Sequence, residues 1–159
     1  MRAALLLLAL ASCGQAPQPD TTPGGRLEEA AVARGLVADP SKAALTGVWA
    51  SDVDRLCVLP AGGTLRLGAS IDYGEGQGCA AAGTIKRDGD RLHVSFGECR
   101  FYATFDGERI AFPAALPAAC SRLCTGRASL TALAVERLSE SESEAAALRS
   151  PGGRSLCAG

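Results

Sequence analysis

Aromatic side chains make up only 4% of this 159-residue chain, with one Trp, two Tyr and four Phe. A core built on aromatic bulk alone would therefore be thin. Imidazole is scarcer still, because His93 is the sole histidine; a metal centre of several histidines is excluded, and a Ser-His hydrolase has a single residue to work with. Neither sign of charge prevails, with 16 Lys and Arg against 17 Asp and Glu. No basic run extends beyond a few positions, so the sequence gives no sign of the concentrated basic surface that nucleic-acid binding needs, and nucleic acid is not an expected partner. The one sustained apolar run, residues 3–11, holds nothing but Ala and Leu; as a helix it would cover roughly 14 Å against the ~30 Å hydrocarbon core, too short to span a bilayer. There is no C-x-x-C-H haem motif, no G-x-S-x-G elbow, and no Lys-Ser/Thr after any glycine-rich stretch.

What is present begins at the amino terminus. Arg2 precedes the apolar run, which closes on Leu10-Ala11-Ser12-Cys13 and is followed by a polar, proline-bearing stretch; this is the layout of a short secretory signal. The segment resembles the lipobox of bacterial lipoproteins. That resemblance implies cleavage after Ser12, a thioether-linked diacylglycerol on Cys13 and an N-acyl group on the new terminus, with no other cofactor. Three acyl chains bury far more methylenes than the single chain that anchors only marginally. Gly14 in place of Asp after the cysteine implies, by the same resemblance, sorting to the outer membrane, on its periplasmic side.

Setting Cys13 aside leaves six of the seven cysteines: Cys57, Cys79, Cys99, Cys120, Cys124 and Cys157. An even number in an oxidising compartment reads as three disulfides, and six cysteines admit on the order of 15 pairings. We expect Cys57 with Cys79, Cys99 with Cys120, and Cys124 with Cys157. Cys120-Ser-Arg-Leu-Cys124 lacks the two-residue spacing of thioredoxin-like motifs, so redox or zinc chemistry there is set aside.

The chain divides into a signal peptide over 1–12, the lipidated Cys13 and a flexible tether over 13–25, a short helix and linker over 26–43, and a disulfide-stapled β-domain over 44–159. Pro17, Pro19 and Pro23 keep the tether extended. Residues 27–36 read as a helix, with Glu28 and Glu29 at its positive end and Gly35 as its stop. From Leu45 the apolar period changes to two. Asp106-Gly107 joins strands over 101–105 and 108–112, Asp88-Gly89 joins 84–87 and 91–96, and Pro60-Ala61-Gly62-Gly63 joins 56–59 and 64–67. Gly47-Val48-Trp49 before these pairs and 129–138 after them bring the total to about eight short strands. The expected fold is mainly β, a small antiparallel meander or barrel with a short helix at each end; an open sheet or a sandwich is the alternative. Gly47-Val48-Trp49 also resembles the Gly-x-Trp of the first lipocalin strand. A capping box, Ser139-x-x-Glu142, starts the C-terminal helix. Glu140, Glu142 and Glu144 are read as solvated residues of its first turn, not as a cation site, so no metal is assigned.

The chemical candidates are few. His93 and Ser95 share one strand face and are the candidate catalytic pair of a hydrolase. Tyr73-Gly74-Glu75-Gly76-Gln77-Gly78 reads as a glycine-rich strand connection beside a staple, which offers Tyr73, Glu75 and Gln77 as contact residues, with Arg127 a further binding candidate. The expected function is that of a non-enzymatic, lipid-anchored envelope protein that presents loops to a protein or glycan partner or maintains the surface. The alternatives are an inhibitor of lysozyme or of a protease, a small-ligand carrier, and a hydrolase using His93 and Ser95. The cluster Phe96, Phe101, Phe105 and Phe112 is expected to fill the interior.

Overall fold

The computed structural model describes residues 22–36, 39–89 and 91–158. The leader, Cys13 and most of the expected tether lie outside the described residues. The chain forms two units that divide after Val37. In the first, helix α1 (Pro23–Ala33) starts at Pro23 rather than at Leu27, so the last tether positions are its first turn. Thr22 Oγ1 accepts from Gly25 N–H at 3.1 Å and Pro23 opens the helix. The Thr-Pro pair is a start signal that outweighs the charge pattern used to place the helix later. Gly35, at φ 68°, ends it as expected.

The second unit is a closed barrel of eight antiparallel strands in chain order. They are β1 (Gly47–Ser51), β2 (Asp54–Ala61), β3 (Thr64–Asp72), β4 (Gly78–Asp88), β5 (Arg91–Phe96), β6 (Cys99–Phe105), β7 (Arg109–Ala111) and β8 (Ala134–Ser139). β8 returns to β1 through Trp49↔Arg137 and Ala50↔Glu136, which excludes the open sheet and the sandwich. β2 runs through Pro60 and Ala61, which were expected in the turn; the connection is Gly62-Gly63 alone, both at positive φ. The missing N–H of Pro60 is tolerated because β2 has outrun β1 there, whose pairing stops at Val58. β8 starts at Ala134 rather than Ser129. Leu130 and Leu133 are buried in the preceding loop, where Ser129 Oγ accepts from Thr131 N–H and holds a turn.

Period-two alternation turns Trp49, Leu56, Val58, Leu67, Ile71, Ile85, Leu92, Val94 and Val135 inward to form one continuous core. The four Phe join this core as expected. Phe101 meets Phe112 at 4.7 Å and Phe96 at 6.4 Å, and Phe105 meets the edge of Trp49 at 5.8 Å. Side chains therefore meet across the axis, as in small barrels whose interiors are filled.

Both ends are covered. At one, residues 39–45 cross the barrel mouth: Arg87 lies over Phe105 at 5.0 Å and donates to Ser41 O at 2.6 Å and to Ala43 O. Arg137 lies over Trp49 at 4.2 Å and donates to Ala44 O, while Trp49 Nε1 donates to Leu45 O. At the other end the long β7–β8 connection folds over, carrying the 3-10 helix η1 (Ala118–Leu123).

The three disulfides are Cys57–Cys157, Cys79–Cys124 and Cys99–Cys120. Only the last matches the expected pairing. Cys57 points outward toward the chain terminus and Cys79 belongs to the inner core. With β3 between their strands, and Cys57 level with Gly68 and Ala82, three residues along from Cys79, they stand roughly 14 Å apart, beyond the reach of a bridge. The helix α2 (Glu142–Ala147) is capped by Ser141, whose Oγ accepts from Glu144 N–H at 3.3 Å. Ser139, the expected cap, is instead the last residue of β8.

Candidate functional site

A cleft of about 770 Å³ opens at the η1 end of the barrel, and three segments distant in sequence form it. The first is the end of β3 with the glycine-rich connection and the start of β4, contributing Asp72, Glu75 and Gln77. The second is the end of η1 with the residues after it, and includes Arg122 and Thr125. The third is the turn after α2, with Ser150 and Arg154.

Local chemistry makes the glycine-rich wall rigid. Gly74, Glu75 and Gly76 take φ of 77°, 52° and 73° in succession, a left-handed course that a Cβ opposes and that the two glycines adopt freely. Asp72 Oδ1 accepts from Gly74 N–H at 2.9 Å, and Tyr73 N–H donates to Gln77 O at 2.9 Å to close the loop. Thr125 pins it from the facing wall: its Oγ1 donates to Gly76 O at 2.7 Å and its N–H donates to Gly78 O at 2.8 Å. The Cys79–Cys124 bridge fastens the same two segments covalently. A Cβ on Gly126 would lie 2.7 Å from the Gln77 side chain, so this glycine lets the walls close.

The two sides differ in charge. The glycine-rich wall carries the carboxylates Asp72 and Glu75, whereas the others carry Arg122, paired with Glu98, and Arg154. Ser150 lies in the third wall at 7% exposure, and its buried hydroxyl hydrogen-bonds to none of the described residues. An unpaired buried hydroxyl costs about 1–3 kcal/mol, which a hydrogen-bonding ligand would recover.

Of the expected contact residues, Glu75 and Gln77 line the cleft. Tyr73 is 59% exposed at the base of the loop, and Arg127 joins through its backbone, its N–H donating to Gln77 Oε1 at 3.3 Å. His93 and Ser95 are elsewhere, half-buried on the outer face of β5, where Lys86 and Tyr102 flank His93 and Thr84 and Arg100 flank Ser95. None of these four neighbours carries the carboxylate that would orient an imidazole. Among the described residues, no group of three or more His, Cys, Asp or Glu is placed to hold a metal ion, and no helix is long and apolar enough to cross a membrane.

Comparison with protein families, with curated proteins and with solved structures finds no match to this chain. The closed eight-stranded antiparallel barrel agrees in general shape with a lipocalin-like fold. Sequence reasoning missed Thr125, Ser150 and Arg154. Thr125 adjoins a cysteine whose partner was misassigned, and Ser150-Pro151-Gly152 was read only as the stop of a helix. Its turn signal was legible, but the wall it would face was not.

Proposed function

We propose that this chain is an exported, lipid-anchored binding protein of the cell envelope that carries a small polar ligand in the cleft at the rim of its barrel. The carrying observation is the cleft itself: its volume, about 770 Å³, falls in the range of small-molecule sites, and one of its lining residues, Ser150, has a buried hydroxyl without a hydrogen-bond partner among the described residues. The filled axis moves the ligand from the barrel interior, where a hollow barrel would hold it, to the rim. Carboxylates on one wall and Arg154 on another suit a ligand that presents donors at one end and acceptors at the other. Three disulfides support an oxidising address, and the lipobox resemblance at Cys13 supports the anchor.

Two experiments test this reading separately. Amide chemical shifts, followed while amino acids, dipeptides and N-acetylated sugars are added, should move at residues 72–80, 122–125 and 150–154. Shifts confined to inward residues such as Val94 and Val135 would place the ligand inside the barrel instead. In the responding mixture, Ser150→Ala should weaken binding roughly tenfold, the worth of one hydrogen bond to an otherwise unpaired group. For the address, intact-mass analysis of membrane-extracted protein should show a diacylglyceryl group on Cys13, and Cys13→Ala should release the protein into the soluble fraction.

A further inference from the structure

The register of β4, β5 and β6 assembles on the outer face a cluster that no stretch of the sequence contains. Outward residues pair in three rows: Thr84↔Ser95↔Arg100, Lys86↔His93↔Tyr102, and Asp88↔Arg91↔Thr104. Strand spacings put these nine side chains in a field of roughly 10 Å by 14 Å. It holds three permanent cations, Lys86, Arg91 and Arg100, against the single carboxylate of Asp88. Tyr102 stands among them, 45% exposed, with the Arg91 guanidinium over its ring at 4.5 Å and the His93 ring at 5.3 Å. None of the three cations forms an ion pair with a described residue; the ion pairs there are Lys42–Asp39, Arg122–Glu98 and Arg137–Glu140. Within the barrel unit no segment packs over this face, whereas the faces of β1 to β3 are covered by the C-terminal segment.

We infer that this face rests on a bilayer surface, its cations against the phosphates of anionic phospholipids and the Tyr102 ring at headgroup depth. Charge complementarity selects an anionic partner. An amphipathic ring among long cationic side chains suits the boundary between water and lipid, where the ring and the alkyl stems enter the apolar side and the charged ends stay with the headgroups. A tether from Cys13 would hold the barrel within reach of that surface, a context taken from the proposed address. The face itself does not depend on acylation or on the cleft.

The test uses the chain from Gly14 onward, which retains every described element and all three disulfides but carries neither Cys13 nor the apolar leader. It is sedimented with vesicles of phosphatidylcholine alone, or with phosphatidylglycerol making up about a third of the lipid. Binding is expected only with phosphatidylglycerol, and should be lost in about 0.5 M salt. Each Lys or Arg near such a surface is worth roughly fivefold in partitioning, so Lys86→Gln, Arg91→Gln and Arg100→Gln together should lower binding on the order of 100-fold. The charge-keeping set Lys86→Arg, Arg91→Lys and Arg100→Lys should retain it, as should Arg109→Gln, an exposed cation opposite Glu136. Equal binding to both vesicle types, no loss in the triple Gln variant, or retention on heparin without vesicle binding would each overturn the inference, the last by assigning the face to a soluble polyanion. Because no acyl group is present, this outcome is separate from whether Cys13 is lipidated.

Discussion

The two outward faces of this barrel have opposite fates. Over β1, β2 and β3 the outward residues include Val48, Cys57, Leu59 and Gly68, and the C-terminal segment lies on them with Ala145, Leu148, Leu156 and Cys157, while the outward Arg66 donates to Cys157 O. Over β4, β5 and β6 they include Thr84, Lys86, Ser95, Arg100 and Tyr102, and the face stays bare within the barrel unit. Both come from the same strand alternation. What separates them is the chemistry of the outward set: an apolar stripe with one glycine lets a second layer approach to backbone contact, while long charged side chains would have to be desolvated to allow it.

The comparison can be broken most severely at its covalent link. Cys57→Ala with Cys157→Ala opens the longest of the three loops, 100 residues apart in sequence. Urea unfolding should show a loss of about 4 to 5 kcal/mol, with early proteolysis of the segment after Ser139. Next comes close approach. A Cβ on Gly68 would stand 2.6 Å from Leu156 O, so Gly68→Ala should cost about 2 kcal/mol, whereas Thr84→Ala on the bare face should change stability by less than about 0.5 kcal/mol. Equal melting temperatures for the two variants would mean that the tail does not pack on β3.

Smaller effects sharpen the picture. Ser150→Ala should raise the stability of the ligand-free protein by about 1 kcal/mol while weakening ligand binding, the combination expected of a polar group kept for a ligand. The smallest is a pH effect at the β1–β2 turn. Burial, and secondarily the charge of Asp52, raise the Asp54 pKa, and its Oδ1 is buried without a hydrogen bond. A folded-state pKa above the unfolded one means that ionised Asp54 weakens the fold. This deficit is complete above the folded pKa and disappears as the pH falls through it toward the unfolded value. Asp54→Asn should therefore raise the melting temperature at neutral pH and remove that part of its pH dependence. Asp39 acts with the opposite sign, since hydrogen bonds from Ser41 lower its pKa; the stability it contributes above the unfolded value is lost as the pH falls through the folded one.

The strands themselves were legible because their signals are local. Leu92, Val94 and Phe96 alternate with His93 and Ser95, and Asp106-Gly107 and Gly62-Gly63 supply turns wherever they stand. Element ends were misplaced where a neighbour decided them: Pro60 is a strand residue because β1 ends early, and Ser129 is a turn residue because Leu130 and Leu133 cap the barrel. Half of the cleft was visible as the glycine-rich stretch with Glu75 and Gln77. Thr125, Ser150 and Arg154 were not, because nothing in their own neighbourhoods marks them as facing it.

By itself the sequence determined the elements and their sidedness, since a period of two and a left-handed glycine act within a few residues. The tertiary structure decided closure of the barrel, two of the three cysteine pairings, the cleft joining residues 72–80 to 150–154, and the gathering of Lys86, Arg91 and Arg100 around Tyr102. Each of those depends on which strands lie side by side and in what register. Register is a property of the whole sheet, because a slip of one residue would exchange inner for outer along an entire strand.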